Sequence, residues 1–434
     1  MKRFIAVCLV SIMTLTIVAG CGSKEEKDGD APKAGETELV IESWRADDLA
    51  VWEDKILPAY KETHPEVNIT FNGVVNTEYG TTLTTKLKAG TAGDIIMVEP
   101  YDYRTSLYQE GYLAKLNDVE GLDINEDLYE EFAISAWSTD DGDIFGVPLA
   151  ACTHGFIYNK TAFEELGLKV PETTDEFFDV CEKIKDEGYV PIAYGTADDF
   201  VNSVYAFSPA VPNFVKGEEG RQGLINGTKK FTDPEFVAAW EFLDAWKPYL
   251  PEGYQGISYS DMQNLFISQQ ALIFPAGSWD VSVFESMGDD SFEMGAFQMP
   301  VQNAGDERYV CNHPDMGLAL NDSGKNKEAA AEFLKWTTTE EFAQLWNNEL
   351  PGFYTLSKHE VEIKNPLAAE MLSWTKDAGN TPRIAYQYLS RGEFNTDAEI
   401  IRMTGLMFAG EMTPQEVAQE MQKGLESSYK PMTE

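Results

Sequence analysis

Four histidines in 434 residues, all far apart, leave little room for metal-centre or triad chemistry. Cysteine is almost as scarce. The five thiols, at positions 8, 21, 152, 181 and 311, include no CxxC pair, which argues against a disulfide scaffold or a zinc module and for buried free thiols at 152, 181 and 311. Positive charge is also short: 33 Lys and Arg stand against 73 Asp and Glu, a formal charge of −40. A surface so acidic repels nucleic acid and anionic lipid, so neither is an expected partner. After residue 18 no apolar run approaches the roughly 18 residues needed to span a bilayer. Nucleophile elbows, HExxH helices and Gly-rich phosphate loops are missing too. Asp140-Asp141-Gly142-Asp143 lacks the spacing and downstream Glu of a calcium loop and reads as a hairpin turn, so no metal and no cofactor is expected.

What is present begins with an export signal. Lys2-Arg3 precedes an apolar run from Phe4 to Val18, and Val18-Ala19-Gly20-Cys21 resembles a bacterial lipobox. Residues 1–20 are thus expected to be a signal peptide, cleaved to leave Cys21 lipidated at the outer face of the bacterial cell membrane, anchored but not spanning. Loss of Lys2 and Arg3 takes the charge from −40 to −42. Residues 22–36, rich in charge, Gly and Pro, read as a disordered tether. Extended, it reaches roughly 50 Å.

From residue 37 the pattern alternates strand and helix. Glu38–Ile41 is a short strand; Trp52, Ile56 and Tyr60 then recur at helical spacing, with Pro58 expected to kink that helix or mark its last turns. Val67–Phe71 alternates as a strand, Tyr79, Leu83 and Leu87 share a helix face, and Ile95–Val98 is apolar on both faces. Such alternation implies a parallel sheet. Capping signals at Thr173, Thr338-Thr339 and Thr413 open later helices, and further strands are expected at 189–194, 267–274, 292–299 and 316–320. The stretch from Ile144 to Asn159 carries no formal charge. It is read as a strand leaving one sheet, crossing a gap and entering another.

Several blocks in order carry a family likeness. Asp143–Lys160 resembles "dGkiyGvP…YNk"; Phe163–Leu168 with Pro171–Phe178 resembles "lfeelGl..P.Tw.Ef"; Phe266–Ala271 with Pro275–Trp279 resembles "F..GkaAm...GsW"; and Asn321–Leu334 resembles "sknkeaAaeFlkw". The chain departs from the pattern at Gln269-Gln270 and at Asp175. Over nearly all of 37–434 it is similar to bacterial extracellular solute-binding proteins of the sugar-binding family, kin to maltose-binding proteins. The resemblance implies an α/β, two-lobed, type II periplasmic-binding-protein-like fold, each lobe a mixed sheet flanked by helices, joined by a multi-segment hinge. It implies one lobe from 37–149 plus 281–320 and another from 150–280 plus 321–434, with crossings near 150–153, 275–279 and 318–321. It further implies a monomer without enzymatic activity that hands a carbohydrate to the permease of an ABC importer. A secreted glycoside hydrolase with paired carboxylates and a polysaccharide-binding adhesin are the alternatives.

Ligands of open parallel sheets sit at the carboxyl ends of the strands. That rule picks Trp44, Arg45, Asp47 and Asp48, then Glu99, Tyr101 and Asp102. His154 joins from the crossing strand, Trp279, Asp280, Asn312 and His313 from the opposite side, and Glu78, Arg383 and Tyr386 complete the set. Carboxylates, amides and Arg fork sugar hydroxyls, and indole or phenol rings stack on sugar faces.

Overall fold

The computed structural model describes residues 36–288 and 291–433, so the expected signal segment, Cys21 and nearly all of the tether lie outside it. Strands β1 (Thr37–Ser43), β2 (Val67–Gly73) and β3 (Ile95–Val98) are parallel, with β1 in the middle. Helices connect them, as the alternating pattern requires. β3 is buried along its whole length, in keeping with its unbroken apolar sequence.

The helical region after β1 runs from Leu49 to Thr63 with Pro58 in its last turns, and it contains a π-helical turn that was not expected. Trp52, Ile56 and Tyr60 are all buried, but Trp52–Ile56 forms a π-helical turn, and Pro58 follows it in the first turn of helix Leu57–Thr63. Pro58 lacks the N–H that would bond back to the preceding turn, and the π-helical turn sits directly ahead of it.

The expected crossing strand is β4 (Val147–Asn159). Its first half, Val147–Thr153, pairs antiparallel with β8 (Tyr309–Leu320). Its second half changes neighbour: His154–Tyr158 pairs with β6 (Ala271–Gly277), which is parallel to β5 (Val190–Ile192). β7 (Met294–Phe297) covers the same second half. β8 behaves likewise: Gly317–Leu320 pairs with β3, Asn312–Leu318 with β4, and Tyr309–Cys311 with β10 (Gly379–Thr381). The short β9 (Tyr354–Thr355) adds to β4. The sheet path runs β2-β1-β3-β8-β4-β6-β5, and Thr37–Glu434 pack as one compact unit.

Contacts also run between chain segments that the resemblance groups separately. β7, in the stretch 281–320, pairs with Phe156–Asn159 of β4. Within the stretch 321–434, Phe333 packs edge-on against Tyr60, and Trp346 against Trp52. Large aromatic surfaces decide here: helices Lys327–Trp336 and Glu340–Glu349 go where their rings are buried. In β8, Leu318 lies between Met97 of β3 and Val147 of β4.

Candidate functional site

Where the carboxyl ends of β1 and β3 face the loops that follow β6 and β10, the surface folds into a cavity of ≈ 290 Å³. One wall is Trp44, Arg45 and Asp47 after β1, Asn76 and Thr77 opening helix Asn76–Ala89, and Glu99 after β3. The other wall is Asp199, Phe200, Val204 and Tyr205, with Tyr259 at the start of helix Tyr259–Ile267 and Trp279 after β6. Asp315 of β8 and Arg383 and Tyr386 from the loop after β10 close it.

Each wall is braced from behind. Trp44 leans on Tyr79, ring centroids 5.6 Å apart, and Tyr79 Oη donates to the Met97 carbonyl at 2.6 Å. Arg45 is held by a two-pronged pair with Asp48, 2.7 and 2.9 Å, so Asp48 serves as its anchor and lies outside the lining. Glu99 takes a hydrogen bond of 2.6 Å from Arg104. Opposite, Trp279 Nε1 donates to Tyr205 Oη at 2.7 Å, and the Arg383 guanidinium lies 6.0 Å from the Trp279 ring. Arg383 also donates to Tyr386 Oη at 2.8 Å. Burial raises the Asp315 carboxyl above its usual range, and the charges of Arg383 and Arg45 pull it back.

The expected residues divide by place. Trp44, Arg45, Asp47, Glu99, Trp279, Arg383 and Tyr386 line the cavity together. Glu78 does not. It is exposed in the first turn of its helix, where Asn76 and Thr77 take the wall instead. Tyr101 and Asp102 line a neighbouring cleft of ≈ 150 Å³ with Tyr386, Gln387, Ser390 and Asn395. Tyr101 sits there at φ 57°, as Gln387 and Tyr388 sit at 56° and 57°. Non-glycine residues held at positive φ cost energy and gather at functional surfaces. Asp102 accepts from Arg391 Nε at 2.6 Å, and Arg391 also reaches Asp140 at 2.7 Å.

Asp280 lies outside the lining, behind Tyr205 and Tyr259, which donate to it. Fully buried, it accepts from Tyr259 Oη at 2.6 Å, from the Gly277 amide at 3.0 Å, and from Gln263 and Tyr205 at 3.4 Å. It therefore holds the rings that line the wall. Burial pushes its carboxyl up to about 7, against the pull of those donors. His154 and His313 also lie outside the lining, buried at the strand crossing with rings stacked 5.0 Å apart and Trp279 edge-on to His154 at 5.1 Å. Asn312, half-buried on β8 opposite Thr153, is not in the lining either.

Asn76, Thr77, Asp199, Phe200, Val204, Tyr205, Tyr259 and Asp315 were not expected. Most sit at helix starts or in the irregular stretch before Ser208–Ala210, where no strand end marks them. The signal that existed was ring density between Phe200 and Tyr259.

Comparison with known proteins places the chain among relatives by sequence and by fold. A family model described as bacterial extracellular solute-binding protein matches residues 43–344. The multiple sugar-binding protein of Streptococcus mutans is 26% identical over 353 residues, 78% of this chain and 80% of that one. Among solved structures, one from work on xylan utilization by Caldanaerobius polysaccharolyticus superposes with a TM-score of 0.76 at 19% identity, covering 89% of this chain and 99% of the other. A chitin oligosaccharide binding protein does so at 0.75 and 23%, covering 91% and 99%. The structural likeness shows the expected α/β fold of two-lobed, type II periplasmic-binding-protein character. Among the described residues no helix is long and apolar enough to cross a membrane. With the family model matched over residues 43–344 and the strand-end cavity formed, this chain belongs to the bacterial extracellular solute-binding proteins.

Proposed function

We propose that this protein captures a sugar or short oligosaccharide in the ≈ 290 Å³ cavity and delivers it, chemically unchanged, to the permease of an ABC importer. The observation that carries the reading is the make-up of the walls. The rings of Trp44, Trp279, Tyr205 and Tyr259 share the lining with Arg45, Asp47, Glu99, Asp199 and Arg383. Flat apolar faces edged by hydrogen-bonding groups match a pyranose, which is apolar above and below and hydroxylated around its rim. The cavity volume lies at the small end of ligand sites, roughly 300–1,000 Å³, which favours a ligand of few rings. The relatives named above add support, since the names of two refer to sugar or oligosaccharide binding.

In this reading β4, β6 and β8 are the crossings between two lobes, and the walls approach each other about them. The ligand stabilises the closed form by its greater affinity for it. Anchoring follows the lipobox-like Val18–Cys21: Cys21 carries the acyl chains and residues 22–36 hold the domain clear of the lipid.

The test is a panel of xylo-, chito-, malto- and raffinose-series sugars, read by thermal shift and calorimetry, with each sugar checked by chromatography afterwards. The expected result is a saturable shift with at least one series and no loss of sugar. Absence of any shift across the panel sinks the carbohydrate assignment, and cleavage of a glycan replaces capture by hydrolysis.

A further inference from the structure

Three soft or borderline donors meet where β4 and β8 cross. His154 on β4 and Cys311 and His313 on β8 are all buried and place one ligating atom each within 4.8 Å of one another. Neither ring nitrogen of His154 makes a hydrogen bond to the protein, and Nδ1 of His313 makes none either. Buried nitrogens in folded proteins nearly always have a partner, so three without one in a single cluster call for an occupant. The other nitrogen of His313, Nε2, lies 3.2 Å from Asp315 Oδ1. A carboxylate on the far nitrogen is the arrangement that orients a metal-bound imidazole.

We propose that His154, Cys311 and His313 bind a borderline divalent cation, Zn²⁺ in class, as a buried pin at the strand crossing. Two imidazoles and a thiolate form a donor set that suits zinc. The geometry is close to ready. A point can be found no farther than about 2.8 Å from three atoms that lie within 4.8 Å of one another, and bound zinc needs about 2.0–2.3 Å, so each donor moves by less than about 1 Å. On binding, the Cys311 thiol gives its proton to solvent and the sulfur bonds the metal. The ion's two positive charges then meet the thiolate and the Asp315 carboxylate, which keeps the buried unit near neutral. The cavity lining includes none of the three donors and shares only Asp315 with this site, so the metal assignment does not rest on the sugar assignment.

The experiment uses the untagged chain, refolded with Zn²⁺ or with Co²⁺ as a coloured stand-in, then dialysed. The proposal expects one ion retained per chain and a near-ultraviolet thiolate-to-cobalt band. Cys311→Ser abolishes the band, His154→Gln weakens retention by at least about tenfold, and Asp315→Asn weakens it by about 10–100-fold, the usual cost of losing an orienting carboxylate. Wild-type protein that keeps no metal overturns the proposal whether or not the variants fold. Retention undiminished in Cys311→Ser overturns it as well.

Discussion

Trp279 does two jobs at the residue scale. It lines the cavity, while its Nε1 is tied to Tyr205 and its ring meets His154 nearly at right angles. At 7% exposure it is also core, so alanine there would open a void that costs about 3–5 kcal/mol of stability and would blur any reading of affinity. Phenylalanine is the better probe. Trp279→Phe is expected to weaken sugar binding by about 1–2 kcal/mol in calorimetry, through lost ring area and the freed Tyr205 hydroxyl. Unchanged affinity in a folded variant removes Trp279 from the ligand contact. Asp280 makes a prediction of a different kind. Its carboxyl is raised from 3.8 to about 7 by burial. Between those values the folded state holds a proton that the unfolded state has released, so this group's contribution to stability falls as pH rises through the window. The loss is on the order of a few kcal/mol once pH passes the folded value. Asp280→Asn is therefore expected to melt with a flatter pH profile than the wild type from about 4 to about 7. Identical slopes would mean that Asp280 ionises normally.

At the scale of elements, the capping signals read from the residues hold up well. Thr173 and Thr413 form full capping boxes with Glu176 and Glu416, and Thr339 caps its helix through the Phe342 amide. Ser258 with Asp261 forms a third box that was not expected, and it opens the helix bearing Tyr259. Caps are legible because donor and acceptor lie within three residues of each other. The end of β6 is less forgiving. A Cβ on Gly277 would lie 2.2 Å from the Trp279 ring. Gly277→Ala is expected to push that ring toward the cavity, cost about 1–3 kcal/mol of stability by overpacking, and weaken ligand binding along with it. Denaturant melts paired with calorimetry test this; a variant as stable and as tight-binding as wild type would show that the ring has room to yield.

For the whole molecule, strand pairing makes β4 and β8 the long tie between the two halves of the sheet, and Arg391 adds an ion pair from the loop after β10 to Asp102 and Asp140. A bound sugar that favours approach of the walls should reduce the radius of gyration in solution scattering and raise the melting temperature, by about 2.7 kcal/mol of added stability at 100 times the dissociation constant. A melt that rises while the scattering curve stays fixed would leave capture intact and remove closure.

Much of the architecture could be read from the residues because its causes are local. Period-two and period-four apolar spacing, a strand apolar on both faces and Thr…Glu caps act over a few positions, and the strand-end rule then found Trp44, Arg45, Asp47 and Glu99. Glu78 shows the limit of that reading: one helical turn begins at Asn76, and a rotation of about 100° per residue sends Glu78 outward while Asn76 and Thr77 meet the cavity. Residues far apart in the chain answer to another cause. Tyr205 and Tyr259 reach Asp280, Phe333 finds Tyr60, and His154 meets Cys311 and His313 through strand pairing, ring packing and burial across separations of 21 to 273 residues. No local pattern encodes such neighbours. They exist once β4 and β8 lie side by side and the aromatic surfaces have been withdrawn from water.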